Sequence, residues 1–335
     1  MRGGDGILPP VKSIYIYSPS GAVRDKAAFR RGVARLKALG HDVQIDEAAL
    51  QSHQRFAGDD DTRLAAIARA AASGADVALI SRGGYGLTRI LDRLPYKAIA
   101  KAAAKGTSFV GLSDFTAFQL ALLAKTGAVT WAGPALGEDF GADGGPDDIM
   151  EACFDDLLHG QGEGTGWRLP PRDADVVLKP VRSATLWGGN LCVVTSLLGT
   201  PYFPQIDKGV LFLEDVGEHP YRVERMLDQL RHAGVLARQR AIVLGQFTNY
   251  RAVPHDRGFK LQTVVDRLRT LIKVPVLTGL PFGHVPTKVL LPVGATVEMA
   301  QQEREVFMVW GHVAGAGHLP EHHDHGAAGH AHHTH

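Results

Sequence analysis

Apolar positions in the first half of the chain alternate between two rhythms. Val11 to Tyr17 is a short β-rich run that ends at SPSG, and Val77 to Ile80 and Phe109 to Leu112 are unbroken apolar runs, the pattern of strands buried on both faces. Between them, Asp25 to Leu39 and Thr62 to Ser73 carry helical periodicity, and each is closed by a glycine, Gly40 or Gly74. Asp114 to Lys125 predicts a further helix ending at Gly127. This rhythm predicts a parallel sheet covered by helices, an α/β fold.

The pattern breaks near Gly141. GADGGPDD is a turn cluster, and the Gly- and Pro-rich stretch that follows predicts a linker over about 161–175. Residues 1–160 are then one domain and 176–313 a second. In the second, GVLFLEDVG, RAIVLGQF and KVPVLTGLPFGH predict strands that run into polar loops, with an amphipathic helix over Tyr221 to His232. From Ala314 the composition turns low-complexity and His-rich, as expected of a disordered tail.

Charge narrows the functional classes. With 36 basic and 35 acidic residues, the chain lacks the basic bias of a phosphate-backbone binder, so no nucleic-acid partner is expected. The two cysteines, Cys153 and Cys192, offer neither a disulfide framework nor zinc spacing, which fits a reducing compartment. The start lacks a signal-peptide core and no apolar run approaches membrane-spanning length, so a cytoplasmic protein without a membrane partner is expected.

Four strand ends carry candidate chemistry. In FVGLSDFTAF a buried strand ends at Leu112, Ser113 follows, and a helix begins at Asp114. A serine on such a turn is lifted off the sheet, and the next N–H, that of Asp114, sits at a helix N-terminus where it can stabilise an oxyanion. The local pattern is G-x-S-x-F rather than G-x-S-x-G, and a serine or aspartate there can equally be a simple N-cap. The glycine-rich ISRGGYG loop also follows a strand, where open α/β sheets bind ligands. It lacks the dinucleotide and P-loop patterns, so the expectation is a second oxyanion donor near Gly84, with Arg82 beside it. Glu214 falls at the end of the LFLE strand. It can orient a histidine, or, like Asp215 and Glu218, merely favour the helix dipole that follows. His284 is delivered by a strand into a loop framed by Gly283 and Pro286.

Together, SRGGYG, GLSDFTAF, WAGP, LWGGNLCVVTSLLGTP, LFLEDVGEHPYRVERMLDQL and GLPFGH followed by LLPVG resemble the LD-carboxypeptidases, also called muramoyltetrapeptide carboxypeptidases, over nearly the whole chain from SPSG to about Gly311. The resemblance implies a Ser–Glu–His triad at Ser113, Glu214 and His284, with an oxyanion hole from the N–H groups of Gly84 and Asp114. It implies an N-terminal Rossmann-like domain, a C-terminal swivelling β/α domain, a cleft between them and a homodimer. The implied reaction, with no cofactor and no metal, is loss of the terminal D-alanine from muropeptide tetrapeptides in cytoplasmic cell-wall recycling. A carboxypeptidase must also recognise a free carboxylate, for which Arg82 is the candidate, with Trp187 and Asn190 as candidates along the substrate stem. The loop HVPTKVLLP departs from relatives that carry Asn or Thr where Lys288 stands. Three rivals are carried forward. A sister branch resembling microcin C immunity proteins would cleave an aminoacyl-nucleotide. Two domains around a cleft also suit a non-enzymatic binder of small ligands. The tail histidines, among them His318, His322, His323 and His325, suggest metal handling.

Overall fold

A computed structural model describes residues 11–313. The tail histidines lie outside those residues. Among the described residues, no helix is long and apolar enough to cross a membrane, and no group of three or more His, Cys, Asp and Glu is placed to hold a metal ion.

The first half is built on strands β1 (Ser13–Tyr17), β2 (Asp42–Ile45), β3 (Val77–Ile80), β4 (Ser108–Gly111) and β5 (Thr130–Ala132). They alternate with helices α1 (Lys26–Ala38), α2 (Asp60–Ala72), α3 (Tyr96–Ala104) and α4 (Phe115–Thr126), and α5 (Asp148–His159) follows. The alternation of buried runs and helical segments is therefore realised as read. Asp25 caps α1 by accepting from the Ala27 and Ala28 N–H groups, and Gly127 ends α4 in the left-handed conformation, φ 71°. Helix α4 is buried from Phe115 to Leu123, because it lies between the first sheet and the second half of the chain. Its sequence is accordingly apolar all round rather than on one stripe.

The second half comprises β6 (Gly164–Arg168), β7 (Val181–Asn190), α6 (Leu191–Ser196), β8 (Val210–Val216), α7 (Pro220–His232), β9 (Ala241–Thr248), α8 (Leu261–Leu271) and β10 (Val276–Leu277). Strands β11 (Leu291–Val293), β12 (Thr296–Gln302) and β13 (Glu305–Val309) complete it. Two sheets result, in the orders β11-β5-β4-β3-β1-β2 and β10-β9-β8-β7-β12-β13-β6. Strands β1 to β5 are parallel, as are β7 to β10, whereas β12, β13 and β6 extend the second sheet antiparallel.

Two details differ from the sequence expectation. The Gly/Pro-rich stretch expected as a linker contains β6, whose residues pair with β13 from Gly164↔Val309 to Arg168↔Glu305. Glycine-rich composition hid this edge strand, although Trp167 is buried and its Nε1–H donates to the Thr278 carbonyl. The chain also returns to the first sheet late, since β11 pairs antiparallel with β5 through Leu291↔Ala132 and Val293↔Thr130. The two halves are thus sewn together by a strand exchanged between them.

In the first sheet the chain runs outward in opposite directions from the adjacent strands β1 and β3. That switch point leaves a crevice at the strands' C-terminal ends. The SPSG loop after β1 and the glycine-rich loop after β3 meet there, with the Gly21 N–H donating to the Gly83 carbonyl at 3.1 Å.

Candidate active site

Ser113 sits between β4 and α4 with φ 66°, a left-handed conformation that costs a non-glycine residue energy and persists only where its surroundings enforce it. The turn is held by the Phe115 N–H on the Leu112 carbonyl and the Thr116 N–H on the Ser113 carbonyl. Such a geometry turns the hydroxyl away from the sheet, as a nucleophile elbow does. The glycine-rich loop closes against it: a Cβ on Gly83 would lie 2.5 Å from Ser113 Cβ and 2.8 Å from Ser113 Oγ. Only glycine fits at that position.

The Asp114 side chain locks the elbow to both crevice loops. Its Oδ2 accepts from Ser20 Oγ at 2.5 Å and from the Leu87 N–H at 2.9 Å. Burial pushes its carboxyl above the ordinary range, against the hydrogen bonds and the nearby Arg63 charge that favour the ionised form. Arg63 itself is wholly buried and donates to the Gly86 carbonyl at 2.8 Å, fixing the far side of the loop. Within this frame the backbone N–H groups of Gly84 and Asp114 have no acceptor among the described residues. Gly84 has φ 110°, and both groups are free to donate to a ligand oxygen.

The second set of groups stands at the C-terminal ends of β7 and β8. Glu214 is fully buried, and its Oε2 lies 2.8 Å from His284 Nδ1. Its Oε1 accepts from Asn190 Nδ2 at 3.2 Å. The pairing of β8 with β9 slips between Leu213 and Asp215, a bulge that re-aims the strand just where Glu214 must face the histidine. Glycines make room for the contact: a Cβ on Gly245 would lie 2.4 Å from the Phe282 carbonyl oxygen, and one on Gly283 would lie 3.2 Å from Glu214 Oε2. With Nδ1 engaged by the carboxylate, Nε2 is left as the exchangeable nitrogen. Burial alone would pull the His284 imidazole down. The hydrogen bond and charge of Glu214, with a smaller contribution from Glu138, outweigh it and hold the pKa above its ordinary value.

Ser113 and His284 are not hydrogen-bonded to each other among the described residues. The two sets are tied instead through α4, where Thr116 Oγ1 accepts the Asn190 N–H at 3.0 Å. A chain of contacts therefore runs from the helix after Ser113 through Thr116 and Asn190 to Glu214 and His284. Beside His284 opens a cavity of about 360 Å³, lined among others by Glu138, Val216, Asn249 and Pro286. A larger cavity of about 540 Å³ lies between 176–181 and 272–276, at the opposite ends of β9 and β10, and includes none of these groups. Chemistry rather than size identifies the functional cleft.

The substrate-stem expectations are revised. Trp187 is fully buried, its Nε1–H donates to Gln239 Oε1 at 2.9 Å and its ring packs edge-on against Phe203, so it is a core residue. Its position on the central strand β7, one pairing step from Leu211 on β8, explains this. Asn190 is also buried and spends its amide on Glu214 and Asp215, which makes it a partner of those carboxylates rather than a substrate contact. Arg82 is half-buried at the crevice, where its Nη1 donates to the Ala22 carbonyl at 3.1 Å. The residues that sequence reasoning missed are Gly83, Thr116, Asn190 in its actual role, and Glu138. Only Gly83, inside the glycine-rich motif already singled out, carried a local signal.

Family models for the LD-carboxypeptidase N-terminal domain and C-terminal domain match residues 14–133 and 183–299. A putative carboxypeptidase of Synechocystis is 32% identical over 87% of this chain and 92% of its own length. The chain belongs to the LD-carboxypeptidase family. A probable murein peptide carboxypeptidase of Bacillus subtilis is 31% identical to this LD-carboxypeptidase over 84% of the chain and 86% of its own length. A muramoyltetrapeptide carboxypeptidase from Oxalobacter formigenes superposes with a TM-score of 0.79 at 37% identity, covering 89% of this chain and 98% of that one. The microcin C7 self-immunity protein in complex with glutamyl sulfamoyl guanosine gives a TM-score of 0.80 at 23% identity over 90% of this chain and 97% of that one, which shows a shared fold. Family membership makes the chain a carboxypeptidase, and the reading as a non-enzymatic ligand binder is set aside.

Proposed function

We propose that this chain is a serine LD-carboxypeptidase that removes the terminal D-alanine from muropeptide tetrapeptides, acting as a homodimer in cytoplasmic cell-wall recycling. The observation that carries the mechanism is the 2.8 Å contact between Glu214 Oε2 and His284 Nδ1, tied by the Thr116–Asn190 hydrogen bond to the helix that follows a serine held at φ 66°. Ser113 Oγ attacks the carbonyl that joins the L-centre to D-alanine, and His284 Nε2 takes its proton. The tetrahedral oxyanion is met by the N–H groups of Gly84 and Asp114. His284 then passes the proton to the departing amine, leaving an acyl-enzyme on Ser113 that water hydrolyses by the reverse path. Glu214 holds the tautomer and stabilises the imidazolium. Arg82, cationic and at the crevice, attracts the free terminal carboxylate in this reading.

The substrate class draws support from the names of two relatives, the Bacillus subtilis and Oxalobacter formigenes proteins. Mass spectrometry of defined tetrapeptides tests it. A peptide ending in D-alanine should lose one alanine, and the same peptide ending in L-alanine should persist. Equal turnover of both, or turnover of neither with hydrolysis of an aminoacyl-nucleotide instead, would sink the assignment.

A further inference from the structure

The histidine's loop is fastened to the opposite half of the molecule by side chains that the mechanism does not use. Lys288, four residues beyond His284, is almost wholly buried, and its Nζ lies 2.5 Å from Asp139 Oδ1. Asp139 belongs to the turn over Leu136–Phe140 in the first half of the chain, and its Oδ2 accepts the Ala135 N–H at 2.8 Å. That turn is itself anchored to the end of β3, because the Gly137 N–H donates to the Ser81 carbonyl at 3.0 Å, one residue before the glycine-rich loop that packs on Ser113. A second strap lies alongside: Thr287 Oγ1 donates to Asp147 Oδ2 at 2.6 Å. The base reaches the site from one half and the nucleophile from the other, so their separation depends on whatever joins the halves.

We infer that the Lys288–Asp139 pair, assisted by Thr287–Asp147, is an interdomain clasp that sets His284 at working distance from Ser113, which makes Lys288 a positioning residue for the base. The inference rests on the serine-hydrolase reading above. Burying an ion pair is costly, and a hydrophobic pair of similar size often serves stability as well or better. What the pair supplies is direction: a short, charge-assisted hydrogen bond tolerates little sliding. A misplacement of about 1 Å between reacting groups can cost about a hundredfold in rate. The charged groups around the imidazole are Glu214, Glu138 and Lys288.

The test uses a fluorophosphonate, which reports serine activation independently of the natural substrate. Ser113 Oγ bonds to phosphorus, fluoride leaves and His284 takes the proton. The variant is Lys288→Met with Asp139→Asn, which removes both charges and leaves none buried alone, while Asn can still accept the Ala135 N–H. Its labelling rate and its kcat should fall at least about tenfold, with KM within about threefold and a melting temperature close to wild type. The acid limb of its labelling rate should move little and only upward, because the Lys288 charge that lowers the His284 pKa is gone while Glu214 is kept. Thr287→Ala, which breaks only the second strap, should lose about two- to fivefold on the same scale. A folded double variant labelled at the wild-type rate would overturn the clasp. Wild-type protein that is not labelled at Ser113 would overturn the clasp and the triad together. Wild-type protein that is labelled but does not turn over muropeptide removes only the substrate reading, and slowed labelling of the double variant then still supports the clasp.

Discussion

Glu214 and Asp215 are consecutive on one strand and share the Asn190 amide, yet only Glu214 reaches His284. Glu214 accepts from Asn190 and faces His284 Nδ1. Asp215 also accepts from Asn190 Nδ2 at 2.9 Å, and beyond it from the Val216 N–H at 2.8 Å and the Cys192 N–H at 2.9 Å, which fastens the first turn of α6. Their remaining partners, His284 for one and backbone N–H groups for the other, separate a candidate catalytic carboxylate from a structural one. Glu214→Gln should lower kcat by at least about a hundredfold with little change in melting temperature. Asp215→Asn should leave kcat within a few-fold and cost stability. Steady-state kinetics and thermal unfolding on both variants decide it, and equal mild effects would remove Glu214 from the triad.

Asp215 also predicts a pH dependence of stability. Burial pushes its carboxyl up to about 6, against three hydrogen bonds that favour the charged form. The folded pKa exceeds the unfolded one, so the native state binds the proton more tightly. Stability from this group therefore grows as pH falls from 6 toward 4, and is absent above 6. Between pH 7 and pH 5 the gain amounts to roughly one unit of proton affinity, about 1.4 kcal/mol. Urea unfolding of wild type and Asp215→Asn at the two pH values should show wild type gaining by about that much relative to the variant. A constant difference at both pH values would contradict the assignment.

Much of this site was legible in the sequence because strand ends announce themselves. An apolar run that stops at a glycine or a charged residue marks where a parallel sheet presents its chemistry, and Ser113, Gly84, Glu214 and His284 all lie at such stops. The positions missed are those defined by contacts between distant segments. Nothing local to Thr116 signals that its hydroxyl accepts the Asn190 N–H across 74 residues. Trp187 lies near the start of the second domain, a place that suggests the substrate stem, whereas strand β7 is central and buries it. Strand β6 was hidden by its glycines, and the return of β11 to the first sheet has no signature in a three-residue run.

On the proposed mechanism, the raised pKa of His284 should govern the acid limb of activity. The base must be neutral to accept the Ser113 proton, so kcat/KM should fall as pH drops through a value above that of an ordinary histidine. Glu214→Gln removes the charge that favours imidazolium, so its residual activity should hold to lower pH even as its plateau collapses. Comparing the two pH profiles of kcat/KM checks this. An acid limb that stays put, or moves upward, in Glu214→Gln would show that the carboxylate does not set the titration of His284.

Gly83 offers a steric test of the elbow. Its backbone is placed so that any Cβ would press on Ser113 Cβ and Oγ. Gly83→Ala should therefore shift the loop away from the elbow, since Ser113 Cβ is fixed to the backbone, and lose most of its kcat and its reactivity toward a serine-directed phosphonate. Gly84→Ala should also suffer, for a different reason: φ 110° is strained for an L-residue, and its N–H would turn from the oxyanion position. Wild-type phosphonate reactivity in Gly83→Ala would mean that the loop does not close on the nucleophile.

Trp187 separates a core role from a substrate role. Its indole is wholly enclosed, donates to Gln239 Oε1 and packs edge-on against Phe203 at a centroid distance of 5.6 Å. Gln239 spends its other end on the Ile206 and Val235 carbonyls, so the residue staples three segments beneath the sheet. Trp187→Phe removes the donor and part of the ring volume at once. It leaves Gln239 Oε1 without its partner, which costs about 1–3 kcal/mol, and adds a cavity term. The loss should appear in the denaturant midpoint. KM for the tetrapeptide should stay within about twofold of wild type, because no atom of the indole reaches the crevice. A substrate-contacting tryptophan would give the reverse, a raised KM with stability nearly intact, and that outcome would restore Trp187 to the substrate stem.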